Sequence, residues 1–497
     1  MMVKPMRYYC FILLLLGVIF SASVQAGPDY ASLAKQIDRL RQQNDVAAAA
    51  VIVVEGDRLV LEHYSGVGSW ESGRPLTAED YIRVGSVTKA FTGLALLRAE
   101  QLGYLKLDQA VRPLLPTVEF DNPFADQQPL LIGHLLEHTS GWFDMSRTEF
   151  DHNDPTPVSL AKAVAIQPKA RISNWPPGWH SSYSNIGPGL AALIVEQQSR
   201  QSFDEFMRNR VFQPMGMQSG SLRLTQEIKD RLISGYNTDG KSPIPYWHII
   251  YRASGGMNVQ TREMARFLSM LINRGRLGSQ QVFSEAQISR LETPHTTLAA
   301  RAGLEFGYGL GNYFSLYKDR VLHAHGGDAD GYLSHYAYSL ESGRGYFLVI
   351  NAFNHKPLRA MKKILNDMLI DSLPAPQKLS VSQVDGAVLS RYTGRYRQAT
   401  VRFPRPGWQD QVLTVEQRGQ QLVTRLNEGR WLSLLPVSEQ LFRRREEPQA
   451  TAAFIPLPDG RMVLQGRMGN YIRSANDGGP GGAIAATAAN KGVNDGG

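Results

Sequence analysis

The spacing of apolar residues changes character along the chain, and each change marks an element. Leu33, Ile37 and Leu40 recur at helical spacing within 29–44, and 46–54 follows as an unbroken apolar run of strand length. Glu55-Gly56-Asp57 is turn chemistry and leads into a second strand over 58–64. Residues 86–103 place Phe91, Leu94, Ala95, Leu97 and Leu102 on a helix that Gly103 stops. From 104 to about 315 the pattern breaks into helical patches separated by Pro/Gly loops. Strand chemistry returns at 332–340 and 345–351, and 356–373 reads as a closing helix. Strand signals that flank a long helical stretch predict one α/β layer built from both ends of the region, with a helical insertion over about 105–315.

A second unit follows. Pro374-Ala375-Pro376 opens a linker over 374–387. Beyond it, 388–473 carries short alternating strands at 412–416, 421–425, 451–456 and 462–467, which predicts a small all-β domain. The tail over 474–497 is rich in Gly, Ala and Asn and is expected to be disordered.

Composition narrows the class. With 497 residues, 43% hydrophobic and 20% charged, the chain is an ordinary globular one of more than one domain. The single cysteine, Cys10, excludes a disulfide framework and any cysteine-based metal centre. Residues 1–26 read as a cleavable signal peptide: Lys4 and Arg7, an apolar run over 11–20, then Val24-Gln25-Ala26. The run is shorter than the ~20 residues a membrane span needs, and no later stretch is apolar enough. Cleavage lowers the net charge from +8 to +6 and leaves a thiol-free protein, secreted or periplasmic, with no stable membrane span. The remaining basicity is local: 388–473 holds 14 Arg, no Lys and 7 Asp/Glu. That is either a solvated surface or a surface for an anionic envelope polymer. Nucleic acid is not an expected partner of an exported protein.

Three short motifs carry chemistry. Ser86-Val87-Thr88-Lys89 at a helix start puts a hydroxyl and an ammonium one turn apart on one face. The lysine can stabilise a serine alkoxide or, if burial depresses its pKa, take its proton. Tyr183-Ser184-Asn185 follows the loop Pro176-Pro177-Gly178 and precedes a helix. A tyrosine beside a lysine can share base duty, and an asparagine offers both donor and acceptor to an amide or ester. In His323-Ala324-His325-Gly326-Gly327-Asp328-Ala329-Asp330 a short strand ends in glycines that let a substrate backbone approach. A backbone N–H just past them could complete an oxyanion hole with that of Ser86.

Competing chemistries are weaker. His323, His325, Asp328, Asp330 and His335 together suggest metal ligands, but the familiar His-x-His-x-Asp-His spacing needs an aspartate where Gly327 stands. That reading also leaves Ser86, Lys89 and Tyr183 without a role, so no metal and no cofactor is expected. There is no Gly-x-Ser-x-Gly elbow. His138 reads as a structural helix-end histidine. Phe150, Tyr246, Trp247 and Tyr251 either line a pocket or pack, with Tyr246 and Trp247 placed nearest the site.

In this order and at these separations, the three motifs resemble those of the serine hydrolases of the class C β-lactamase and penicillin-binding-protein superfamily. Leu135-Leu136-Glu137-His138-Thr139-Ser140-Gly141-Trp142, Pro214-Met215-Gly216-Met217 and Ala253-Ser254-Gly255-Gly256-Met257 agree with it. The resemblance spans about 30–370, and 388–473 is similar to a lipocalin-like β-barrel domain that some members carry. It implies an α/β (α+β) fold: an antiparallel sheet flanked by terminal helices, a large inserted helical domain, and a small C-terminal all-β domain. It also implies roles: Ser86 as nucleophile, Lys89 and Tyr183 as base and proton relay, Asn185, His325, Gly326 and Gly327 as substrate contacts. The backbone N–H groups of Ser86 and Asp328 would form the oxyanion hole. His325 stands where many members have lysine, a permanent cation that attracts the β-lactam carboxylate. Histidine is mostly neutral at pH 7. The expected substrate is therefore an ester or a D-amino-acid-containing peptide, with weak or no β-lactamase activity. The alternatives are a penicillin-binding, sensor or scaffold protein with little turnover, or a true class C-like β-lactamase.

Overall fold

The computed structural model describes residues 27–150, 152 and 156–473. The expected signal peptide and disordered tail lie outside the described residues. Among the described residues, no helix is long and apolar enough to cross a membrane.

The first unit is built on six strands: β1 (Ala48–Glu55), β2 (Arg58–Gly66), β3 (Tyr313–Tyr317), β4 (Arg320–Ala329), β5 (Tyr332–Ser339) and β6 (Arg344–Ile350). They form one sheet in the order β2-β1-β6-β5-β4-β3 with every neighbouring pair antiparallel. Two helices from the ends of the unit, α1 (Tyr30–Gln43) and α5 (His355–Ile370), cover one face. There Ala49, Val51 and Val53 are buried with Ile37, Met361 and Leu365. The alternate residues Ala50, Ile52 and Val54 are buried on the other face with Phe91, Leu94 and Phe267 of the helical region. A strand buried on both faces has no polar side to show, which is why 46–54 is continuously apolar. Three helices of the inserted region position the site: α2 (Thr88–Gln101), α3 (Ile186–Ser199) and α4 (Met264–Ile272).

Two strands depart from the sequence pattern. β3 straddles the end of the span read as helical; it is a short edge strand with all five residues half-buried, so no alternation marks it. β4 does not end at its glycines. It continues through them, pairing Gly326 with His335 and Gly327 with Ser334.

The second unit is a closed barrel of eight strands: β7 (Gly394–Gln398), β8 (Val412–Arg418), β9 (Gln421–Leu426), β10 (Leu432–Pro436), β11 (Leu441–Arg443), β12 (Ala452–Pro456), β13 (Met462–Gly466) and β14 (Gly469–Arg473). β7 closes on β14 through Tyr396 and Arg473. Tyr396, Leu413, Leu422, Phe442, Phe454 and Leu464 fill the interior. The strands that the sequence pattern missed (β7, β10, β11 and β14) are three to five residues long and mix polar with apolar positions, whereas the five-residue β12 and β13 are buried along most of their length. Outside, Ala453, Ile455 and Val463 pack on Ala299 and Leu304 of the first unit.

The expected linker is pinned to the barrel: Leu379 N–H donates to Pro448 O and Ser382 N–H to Pro436 O. Part of the arginine excess is also engaged internally. Buried Arg443 donates to the carbonyls of Leu379 and Glu447, and Arg467 pairs with Glu447 at 2.6 Å.

Candidate active site

Ser86 is the middle residue of a single 3₁₀ turn, Gly85–Val87, that runs directly into α2. The turn is pressed backbone-to-backbone on β4. Gly85 has φ +53°, and a Cβ there would stand 2.7 Å from the backbone of Asp328; a Cβ on Gly327 would stand 1.9 Å from Val84 O. Ser334 Oγ donates to that same Val84 carbonyl at 2.8 Å. Glycine at 85 and 327 is thus what brings the Ser86 turn against the Asp328 backbone. Gly327→Ala is expected to cost about 1–3 kcal/mol through overpacking, read as a lowered Tm. An unchanged Tm would contradict so tight a contact. Gly326, in contrast, has nothing within 3.5 Å of a would-be Cβ and borders the cavity described below.

Lys89 lies one turn further along. Its Nζ is 3.1 Å from Ser86 Oγ, 2.7 Å from Asn185 Oδ1 and 2.7 Å from Ser254 O. It also stands 4.8 Å from the centre of the Tyr183 ring. Burial pushes its pKa down to about 7, with Asp144 pulling up and Arg402 pushing down. The amine is therefore part free base at neutral pH. Burial pushes the Tyr183 phenol well up, opposed by a hydrogen bond with Ser86 and by Arg402.

Asn185 immediately precedes α3 and is held from behind by Asp144, which accepts from Asn185 N–H at 2.7 Å and Nδ2 at 3.0 Å. Asp144 in turn pairs with Arg402 Nε at 2.7 Å. Arg402 belongs to the barrel, on the connection between β7 and β8, and its guanidinium also lies 4.7 Å from the Tyr183 ring centre.

His325 is buried. Its Nδ1 is 2.5 Å from Gly326 O and its Nε2 2.6 Å from the Tyr308 hydroxyl. A carbonyl only accepts, so Nδ1 carries the proton and Nε2 accepts from Tyr308. Burial, then the neighbouring Lys89, push its pKa down to about 3, so the ring is neutral. The Asp328 side chain is more than half exposed and lies 3.6 Å from His355. It leaves the site, and only the backbone of Asp328 faces the Ser86 turn.

His138 does more than end a helix. It has φ +59°, its ring centre is 4.3 Å from that of Tyr183, and Nδ1 accepts from Ser184 N–H. It braces the Tyr183-Ser184 turn. The histidines at 323, 325 and 335 do not converge. His335 is on the opposite sheet face, 3.0 Å from Tyr346 Oη, and the His323 ring stacks 5.3 Å from Tyr338. Among the described residues, no group of three or more His, Cys, Asp or Glu could hold a metal ion.

A cavity of about 680 Å³ opens over Ser86, bordered by Tyr183, Asn185, His325, Trp247 and Arg402. Phe150 also borders it. Tyr246 instead lies under the Arg83 guanidinium at 4.2 Å, and Tyr251 is buried, donating to Glu149. Sequence reasoning missed Asp144, Tyr308 and Arg402. None sits in a recognisable spacing, and Arg402 comes from another domain.

The sequence profile of the family described as Beta-lactamase matches residues 33–367. Penicillin-binding protein 4* of Bacillus subtilis (strain 168) is 24% identical over 371 residues, 70% of this chain and 78% of that one. The octameric penicillin-binding protein homologue from Pyrococcus abyssi superposes with TM-score 0.59 at 22% identity, over 90% of this chain and all of that one. The D-amino acid amidase from Ochrobactrum anthropi SV3 superposes with TM-score 0.57 at 20% identity, over 69% of this chain and 98% of that one.

Proposed function

The chain belongs to the Beta-lactamase family of serine hydrolases, and from that premise we propose that it transfers acyl groups to water through an ester on Ser86. The observation that carries this reading is the position of Lys89 Nζ, 3.1 Å from Ser86 Oγ in a buried setting that lowers its pKa to about 7. A free amine there accepts the hydroxyl proton as Oγ attacks the substrate carbonyl. The backbone N–H groups of Ser86 and Asp328 take the developing oxyanion. Tyr183, hydrogen-bonded to Ser86 and kept protonated by burial, gives its hydroxyl proton to the leaving group as it takes up the proton that Lys89 removed from Oγ. Water then attacks the acyl-enzyme carbonyl, its proton passes to the Lys89–Tyr183 pair, and Ser86 Oγ leaves and is reprotonated. Asn185 and Gly326 border the cavity where the acyl group would lie.

The substrate class follows from charge. His325 is buried and neutral, so the position offers no fixed cation for a β-lactam carboxylate. Esters and D-amino-acid-containing peptides or amides need none there; an amidase of this fold acts on D-amino acid amides by its name. We place the protein outside the cytoplasm, on the character of residues 1–26. The test compares kcat/KM for short p-nitrophenyl esters, D-aminoacyl p-nitroanilides and a chromogenic cephalosporin. The best ester or D-aminoacyl substrate is expected to exceed the cephalosporin by at least ~10-fold. A cephalosporin turned over as fast as either would overturn the substrate assignment.

A further inference from the structure

We propose that the C-terminal barrel completes the active site: the β7–β8 connection supplies Arg402 as a positioning residue whose ion pair with buried Asp144 fixes Asn185 and keeps Lys89 in its proton-accepting form. The proposal rests on the reading of Lys89 as the base for Ser86.

The geometry is continuous from barrel to lysine. Asp144 is fully buried at its side chain, whereas Arg402 is 44% exposed. The carboxylate accepts from Arg402 Nε, from the backbone and side chain of Asn185, and from Met145 N–H. Asp144 N–H donates back to Arg402 O at 3.0 Å, so the two residues are joined through backbone as well as side chain. Asn185 Oδ1 then accepts from Lys89. The same barrel loop grips the stretch just before Tyr183: Ser182 Oγ donates to Val401 O and Thr400 Oγ1 to Ser181 O. From β14, Asn470 Nδ2 also donates to Ser181 O at 2.9 Å. A domain that merely rode on the hydrolase would not place its hydrogen bonds along this segment.

Charge explains what the pair does. The titratable and charged groups around Lys89 come from several elements: Tyr183 before α3, His138 after the Ile132–Leu136 helix, His325 and Asp328 on β4, then Asp144 and Arg402. Both histidines are held neutral by burial, and Asp328 is largely exposed and beside His355. The buried charge that could hold Lys89 as an ammonium is therefore Asp144, and Arg402 is the cation that balances it. Asp144 and Lys89 meet across the Asn185 amide, and a nearby opposite charge left unbalanced raises an amine's pKa, by about 1–3 units at contact range. A lysine so held is no base at neutral pH.

The test measures the rate at which a fluorophosphonate phosphonylates Ser86, Oγ bonding to phosphorus as fluoride leaves, against pH, using the full chain as wild type, Arg402→Gln, Arg402→Lys and the double variant Arg402→Gln/Asp144→Asn. Arg402→Gln, a shorter neutral side chain whose amide nitrogen reaches the position of Nε, is expected to move the acid limb upward by at least about one pH unit. Arg402→Lys, which keeps the charge, leaves the limb near its wild-type position. Removing both charges in the double variant brings it back. A uniform loss of rate with an unmoved limb overturns the proposal alone, since that is what a purely structural contact would give. A limb that moves but does not return in the double variant also overturns it. Absence of labelling in the wild type overturns the acyl-enzyme reading itself, and this proposal with it.

Discussion

Replacing Ser86 by alanine is expected to remove covalent labelling by a fluorophosphonate entirely and to lower hydrolysis by at least about 10⁴-fold, the scale on which a nucleophile is lost from an acyl-transfer enzyme. The side chain is small and sits on a turn whose geometry is set by Gly85 and Gly327, not by its own hydroxyl. The variant should therefore fold with an unchanged Tm, and the loss will report chemistry rather than collapse. Intact mass after exposure to the probe, on wild type and variant in parallel, checks this directly. An adduct that persists in Ser86→Ala would place the nucleophile elsewhere. An unlabelled, folded wild type would mean that the three motifs are assembled without an activated serine. The scaffold or sensor alternative would then take precedence.

Replacing Lys89 by methionine is expected to lower acylation by about 10²–10⁴-fold, the range that a positioned general base contributes. Methionine nearly matches the length of the side chain, so the buried space stays filled while the amine is lost. In the wild type the sign of the pH dependence follows from the direction of the shift. Burial lowers the Lys89 pKa from its ordinary value to about 7, so the amine is protonated and inactive below that pH and free above it. The rate of Ser86 acylation should rise with pH through about 7 and level off. His325, already neutral through this range, should add no limb of its own. A single rise near pH 10 would mean an ordinary, solvated lysine and would contradict its burial. An unaltered rate in Lys89→Met would remove it from the mechanism. Both measurements can use the same labelling assay, and Tm of the variant separates misfolding from lost base.

Much of this site was legible before any tertiary contact. Ser86 and Lys89 are three residues apart at a helix start, so local helix geometry puts their side chains on one face, within reach of each other. The Tyr183-Ser184-Asn185 and His325-Gly326-Gly327 stretches were visible as residue types in order. The apolar run over 46–54 announced a strand buried on both faces. The division into a sheet-bearing unit with a helical insertion and a small β unit followed from the change of period along the chain. These features are local: a few neighbouring residues determine them through backbone geometry and the burial pattern of one element.

What tertiary structure decided is of another kind. Asp144, Tyr308 and Arg402 carry no spacing that marks them, because each acts through a partner more than 15 residues away in the chain. The roles of Gly85 and Gly327 appear only when the Ser86 turn meets β4. The strand β3 and the shortest barrel strands exist because neighbouring strands recruit their backbone, not because their own residues alternate. Protonation is the clearest case. The sequence supplied a lysine and a histidine, but whether Lys89 is a base and whether His325 is a cation depends on desolvation and on charges brought from other elements, one of them from another domain. Burial and long-range pairing are properties of the packed molecule, and they are what turned a set of plausible residue types into a particular charge state.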